Sequence, residues 1–149
     1  MVNCQRRRAV PLTWLRRLAT RAAAIVGIRQ DVVLVVSFIE DRMMTNLHEQ
    51  FLGRPIPTDV LTFRYPRGPA TSHPRHEAVV QGEILISPTA AWRYARRHRL
   101  SYRTELARYV VHGLLHWLGH DDRTTVQQRR MRAMEDKVLS RVRHGHPHG

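Results

Sequence analysis

Val111-His112-Gly113-Leu114-Leu115-His116-Trp117-Leu118-Gly119-His120-Asp121-Asp122 is the stretch from which the rest of the chain is best read. Two histidines at i and i+4 of a helix point the same way, one turn apart, as a single metal ion requires. Leu106, Tyr109, Val110, Gly113, Leu114 and Trp117 form the apolar stripe of that helix. At about 100° per residue, His112 and His116 fall at the edge of the stripe, and Glu105, two turns before His112, falls at nearly the same angle. One helix edge therefore presents two imidazoles and a carboxylate. Gly119 breaks the helix and lets the chain turn. The spacing His-x3-His-x2-Gly-x2-Asp then brings back Asp122 as the favoured third ligand, with His120 as its competitor. Three protein ligands leave one position of a zinc ion open, which is the mark of a catalytic site. Gly113 stands where a His-Glu-x2-His metalloprotease carries its general base. Deprotonation must then rest on the metal's own effect on water or on a carboxylate from elsewhere.

Outward from this helix, the pattern predicts α+β architecture in a single domain over 1–149: a small mixed sheet with helices, the metal site on a central helix. A helix is expected from Leu12 to Val26, ended by Gly27. Asp31 to Ile39 reads as a buried strand and Asp41 to Leu52 as a helix stopped by Gly53 and Pro55. Val60 to Tyr65 and Glu83 to Ser87 read as strands, with an exposed loop over Arg67 to His76. A helix starts near Pro88. Ser101 caps the metal-bearing helix, which reaches about Leu118, and Thr124 or Thr125 starts a last one ending near Val142. Residues 143–149 read as a flexible tail, in which His144, His146 and His148 are solvated.

Lys plus Arg is 25 against 12 acidic residues, a formal +13, and Lys137 is the only lysine. The arginine fork pairs bidentately with phosphate, so the balance favours a polyanionic partner, most simply nucleic acid. Codon bias explains arginine over lysine but not base over acid. The first thirty residues hold seven arginines and no acid. Their composition resembles a transit peptide, but Leu12, Leu15, Leu18, Ala22, Ile25 and Val26 read as the inner face of a domain helix. The longest apolar run, Val32 to Ile39, is too short to span a bilayer. Cys4 is the only cysteine, consistent with a reducing, cytoplasmic setting. Trp92 and Tyr94, interleaved with Arg93, Arg96, Arg97 and Arg99, read as part of a solvated basic face rather than a base-stacking platform.

The central stretch resembles the signature of the YbeY family of endoribonucleases and rRNA maturation factors, His-Gly-x-Leu-His-Leu-x-Gly-Tyr-Asp-His. His112, Gly113, Leu115, His116, Gly119 and Asp121 match it; Trp117 replaces a leucine and His120 the tyrosine. Two further blocks are similar and in order: Pro57-Thr58-Asp59-Val60-Leu61-Thr62-Phe63, preceded by Asn46, and Gly82-Glu83-Ile84-Leu85-Ile86-Ser87. The resemblance covers roughly Val32 to Lys137. It implies a zinc-dependent, single-strand-specific endoribonuclease acting in 16S rRNA 3′-end maturation and ribosome quality control. The partners so implied are single-stranded RNA, the 16S rRNA precursor and the small ribosomal subunit. The chain departs from the pattern at Asp122, where the family has histidine as third ligand, and at Leu52, where it often has arginine. Gly82-Glu83 stands where Gly-Asp is more usual.

The expected metal ligands are thus His112, His116 and Asp122 around one zinc ion. Glu105, Asp59 and Arg54 are the residues expected to support cleavage, Arg54 by reaching a phosphate. Two other readings remain open at this level. One is a metzincin-like zinc peptidase, disfavoured by Gly113 and the positive charge. The other is a non-catalytic, ribosome-assembly RNA-binding protein with a structural metal.

Overall fold

The computed structural model describes residues 1–52, 59–66 and 79–144. The loop expected over Arg67 to His76, Arg54, and the tail beyond His144 lie outside the described residues. In chain order the elements are β1 (Val2–Asn3), α1 (Leu12–Ile25), β2 (Val33–Phe38), α2 (Asp41–Leu52), β3 (Val60–Arg64), β4 (Val80–Ile86), α3 (Pro88–His98), α4 (Tyr102–Trp117) and α5 (Thr125–His144). The architecture is α+β, as expected.

The four strands form one mixed sheet in the order β1-β2-β4-β3. β1 and β2 are parallel, β2 and β4 are parallel, and β3 runs antiparallel to β4. Successive side chains of a strand point to opposite faces, and both faces here are covered. Val36, Phe38, Ile84 and Ile86 join the main core with α1, α4 and α5. Leu85 and Leu61 face the other way and pack with Ile39 and Met44 in a smaller cluster. The run Val33–Phe38 is therefore apolar on consecutive positions apart from Ser37, as suits a strand covered on both sides.

α1 is built into the core: Leu15 and Ala22 are fully buried and Leu18 nearly so, while Arg16, Arg17 and Arg21 face solvent. That is the domain helix expected from its apolar spacing. α4 is buried on more than the one stripe read from sequence. Ala107, Val111 and Leu115 are as buried as Leu106, Val110 and Leu114, because α1, α3, α5 and the sheet all pack against this helix.

Gly113 shows how closely α4 approaches the sheet. A Cβ there would lie 2.4 Å from Ile84 Cγ2, and Ile84 is fully buried. Gly113→Ala should gain at most about 1 kcal/mol of helix propensity and lose about 1–3 kcal/mol, or more, to overpacking. The expected net result is destabilisation, read as a lower urea midpoint with an unchanged m value. A midpoint at or above the parent's would show that the helix can shift without cost.

Several boundaries differ from the sequence reading, each for a local reason. β4 starts at Val80 rather than Glu83, because Gly82 and Glu83 pair with Arg64 and Phe63 across the sheet and Tyr65 N–H donates to Gln81 O. α5 runs on to His144, so Arg143 and His144 belong to a helix and not to a tail. β1 carries no two-residue periodicity and was not expected; Cys4 N–H extends its ladder by donating to Phe38 O. No helix of the described residues is long and apolar enough to cross a membrane.

Candidate metal centre

The ends of α4 are set by hydrogen bonds that the sequence supplies locally. Ser101 caps its N-terminus by accepting from Thr104 N–H. At the other end Gly119 adopts φ +103°, Gly119 N–H donates to His116 O and His120 N–H to Leu115 O. This double closure satisfies the last carbonyls and turns the chain sharply. Arg64 adds a third contact, donating to Trp117 O at 3.0 Å with its guanidinium 4.6 Å from the Trp117 ring. The chain then enters α5 through a capping box. Thr124 Oγ1 accepts from Gln127 N–H, and Gln127 Oε1 accepts from Thr124 N–H and Arg123 N–H. The short connection between these two caps carries Asp122 back to the histidines.

His112 Nε2 and His116 Nε2 are 2.9 Å apart, and Asp122 Oδ2 lies 3.4 Å and 3.3 Å from them. For metal–ligand bonds of about 2.0–2.1 Å, donors at the corners of a tetrahedron are about 3.3–3.4 Å apart. Two edges of this triangle already have that length, and the third needs to open by a few tenths of an ångström. His112, His116 and Asp122 can therefore hold one metal ion. His120 belongs to no such group among the described residues; the turn that recruits Asp122 leaves His120 exposed.

A residue the sequence reading did not single out supports this site. His112 Nδ1 is 2.9 Å from Glu135 Oε2 on α5. A carboxylate can only accept, so Nδ1 carries the proton and Nε2 presents its lone pair to the metal position, the usual arrangement behind a ligating histidine. Glu135 is 4% exposed and sits in the apolar row Met131, Glu135, Val138, Leu139, Val142. A carboxylate at a core position of an amphipathic helix is the signal that could have found it.

Behind Glu135 lies Arg108, within ion-pair distance of three carboxylates: Asp136 at 2.7 Å, Glu135 at 3.4 Å and Glu105 at 3.5 Å. Burial works against its charge, but Asp136, Glu135 and Glu105 outweigh it and hold its pKa above the ordinary arginine value. Glu105 is 1% exposed, and its second oxygen has no hydrogen-bond partner. It lines the same cleft as the histidines but lies outside the group of three donors. The helix edge expected from sequence does bring Glu105 to the cleft of the histidines, where Arg108 is its ion-pair partner.

Asp59 also lines this cleft, which has a volume of about 600 Å³. Tyr109 donates its hydroxyl to Asp59 Oδ2 at 2.9 Å. Burial first, and then the Asp59 charge, push the Tyr109 phenol well above its usual range, so it remains a donor at any working pH. At the far end Arg132 donates to the Tyr94 hydroxyl at 3.2 Å. Tyr94 also stacks on His98 at 4.2 Å, and the Trp92 ring has the Arg8 guanidinium at 3.6 Å and that of Arg96 at 5.1 Å. Arg93 pairs with Asp41, which also binds the Ser87 hydroxyl. The aromatic groups of α3 are thus engaged within the protein, in keeping with a solvated basic face rather than an open stacking platform.

A sequence model of the family described as endoribonuclease YbeY matches residues 3–143. The chain belongs to the YbeY family. Among its relatives there, the endoribonuclease YbeY of Chlamydia abortus is 37% identical over 115 residues, covering 74% of this chain and 70% of the relative. That of Chlamydia trachomatis serovar D is 34% identical over 139 residues, covering 93% and 83%. The solution structure of TM1509 from Thermotoga maritima superposes with a TM-score of 0.60 at 27% identity, covering 95% of this chain and 87% of the other. Family membership confirms the resemblance drawn from the three sequence blocks, and the packing of Gly113 on Ile84 adds a physical argument against the peptidase reading. No glutamate side chain can stand after His112 while α4 lies this close to the sheet.

Glu135→Gln removes the charge behind His112 but keeps an acceptor of the same size. Metal affinity is expected to fall about 10–100-fold, measured by competition with a chromophoric chelator. An unchanged affinity would show that Glu135 matters only for packing.

Proposed function

We propose that the chain is a zinc-dependent, single-strand-specific endoribonuclease, acting in the cytoplasm on the 16S rRNA precursor of the small ribosomal subunit, in 3′-end maturation and ribosome quality control. The observation that carries this reading is the meeting of His112, His116 and Asp122 in a cleft of about 600 Å³. The name its relatives carry, endoribonuclease YbeY, and the formal +13 agree with an RNA substrate, since phosphate contacts supply much of the affinity for nucleic acid.

A zinc ion so held supplies Lewis acidity towards a phosphoryl oxygen. The protein's own residues supply the rest. Glu135 keeps His112 in the tautomer that presents Nε2. Asp122 brings a negative charge where the family has a neutral imidazole, which lowers the net positive charge of the centre and makes the metal a weaker acid. Asp59 offers an exposed carboxylate at the cleft, held by Tyr109, and is the better placed of the two carboxylates to accept a proton. Glu105 acts by holding Arg108. Arg54 is assigned to a flanking phosphate.

The test pairs metal analysis of the purified protein with cleavage of single-stranded and duplex RNA, with and without chelator, and a casein assay alongside. The expected result is zinc near one equivalent and cleavage confined to single strands and lost on chelation. Cleavage that is indifferent to chelator sinks the metal mechanism. Casein hydrolysis without RNA cleavage sinks the whole reading. A precursor carrying extra 3′ nucleotides should be trimmed to the mature 16S end; failure on that substrate alone removes the maturation role.

A further inference from the structure

We infer that a second groove, on the side of α4 away from the metal, is a contact site for single-stranded RNA. The inference rests on the ribonuclease reading above. The groove lies between α1, the first turns of α4 and the last turns of α5, with a volume of about 520 Å³. From α4 it takes Arg103, Thr104 and Ala107. At about 100° per residue these are centred some 150° around the helix from His112 and His116, and about 15 Å along its axis. RNA seated here cannot touch the metal ligands, so the two sites are separate.

The chemistry of the groove is that of a single-strand site. Arg17, Arg21, Arg103 and Arg143 line it, and no acidic residue does. Arg17, Arg21 and Arg143 are exposed, and none is joined to a carboxylate among the described residues. Three guanidinium groups outside the groove are neutralised within the protein: Arg29 by Asp31, Arg93 by Asp41, and Arg108 by three carboxylates. Four like charges around one concavity repel one another and favour an anion between them.

The floor is apolar, formed by Leu18, Leu139 and Val142, all buried, with Trp14 at the side. The Arg103 guanidinium lies 4.2 Å from the Trp14 ring, so a flat cationic and aromatic pair faces the groove. Phosphates on an arginine rim with bases laid against apolar and aromatic surface is how single strands are held without base-specific contacts. An acidic helix from a partner protein would use the same rim and floor. RNA is favoured because it is the substrate of the adjacent centre and its charge is regularly spaced.

The experiment uses the full chain and two oligouridines, one of about five nucleotides and one of about twenty, near the lower and beyond the upper end of the roughly 4–16 nucleotides that single-strand sites take. Arg17→Ala/Arg21→Ala/Arg143→Ala is compared with the parent and with Arg97→Ala, an exposed arginine outside the groove. For the long substrate the triple variant should raise KM about tenfold or more at unchanged kcat. Its slope of log K against log salt should flatten by about 0.7 for each phosphate that no longer meets an arginine. Cleavage of the short substrate should not change, which also shows that the fold is intact. Equal rises for both lengths, or the same rise with Arg97→Ala, would mean that overall charge is at work, and the proposal falls. No change on long RNA leaves the groove to a protein partner or to solvent, and the proposal falls again. Should the parent cleave neither RNA, the ribonuclease reading has failed. Anisotropy of the labelled long strand then decides the groove on its own: weaker binding by the triple variant upholds it, and equal binding ends it.

Discussion

Replacing Arg108 by leucine should cost about 3–5 kcal/mol of folding stability, because it removes one partner of a buried ionic network and leaves the rest unpaired. Glu105 and Glu135 are 1% and 4% exposed, and Arg108 is the cation within reach of both. Urea titrations of parent and variant at pH 7 make the comparison. A loss under about 1 kcal/mol would mean that water replaces the guanidinium at little cost.

His116→Ala should leave the fold standing and empty the centre. The His116 side chain is about one quarter exposed, at 24%, and belongs to neither of the two buried apolar clusters. Stability without metal should therefore change little. Added zinc should stabilise the parent by about 4 kcal/mol at a thousandfold excess over Kd and the variant hardly at all. Cleavage of single-stranded RNA should fall more than 100-fold, beyond the range expected for a residue that only supports a ligand. A variant that keeps full cleavage, or that gains as much thermal stability from zinc as the parent, would remove His116 from the ligand set.

These two variants separate what is local from what is assembled. His112 and His116 were legible because a helix fixes the direction of i and i+4 side chains whatever packs around it. The return of Asp122 was legible because Gly119 can take the left-handed conformation that ends α4. Glu105 was placed on the right edge of the helix, but its partner was not foreseen. An angle on a helical wheel says nothing about which cation fills the space beside it. Glu135 is twenty-three residues from His112, and only the docking of α5 on α4 brings them together.

The sheet divides in the same way. The β-branched run within Asp31–Ile39 and the block Glu83–Ser87 announced strands, and the alternation between the two cores follows from the pleat. The strand order, the parallel pairing of Val2–Asn3 with Ser37–Phe38 and the early start of β4 carried no local mark, since each depends on a partner distant in sequence. By itself the sequence determined the helix that bears the histidines, the glycine that ends it, the excess of arginine and the family. Only the tertiary structure decided that Asp122 and not His120 meets the histidines, that Glu135 orients His112, and that Arg108 holds the carboxylates behind them. Periodicity and backbone freedom act within a few residues, whereas ligand distance and charge pairing are set by how separate elements pack.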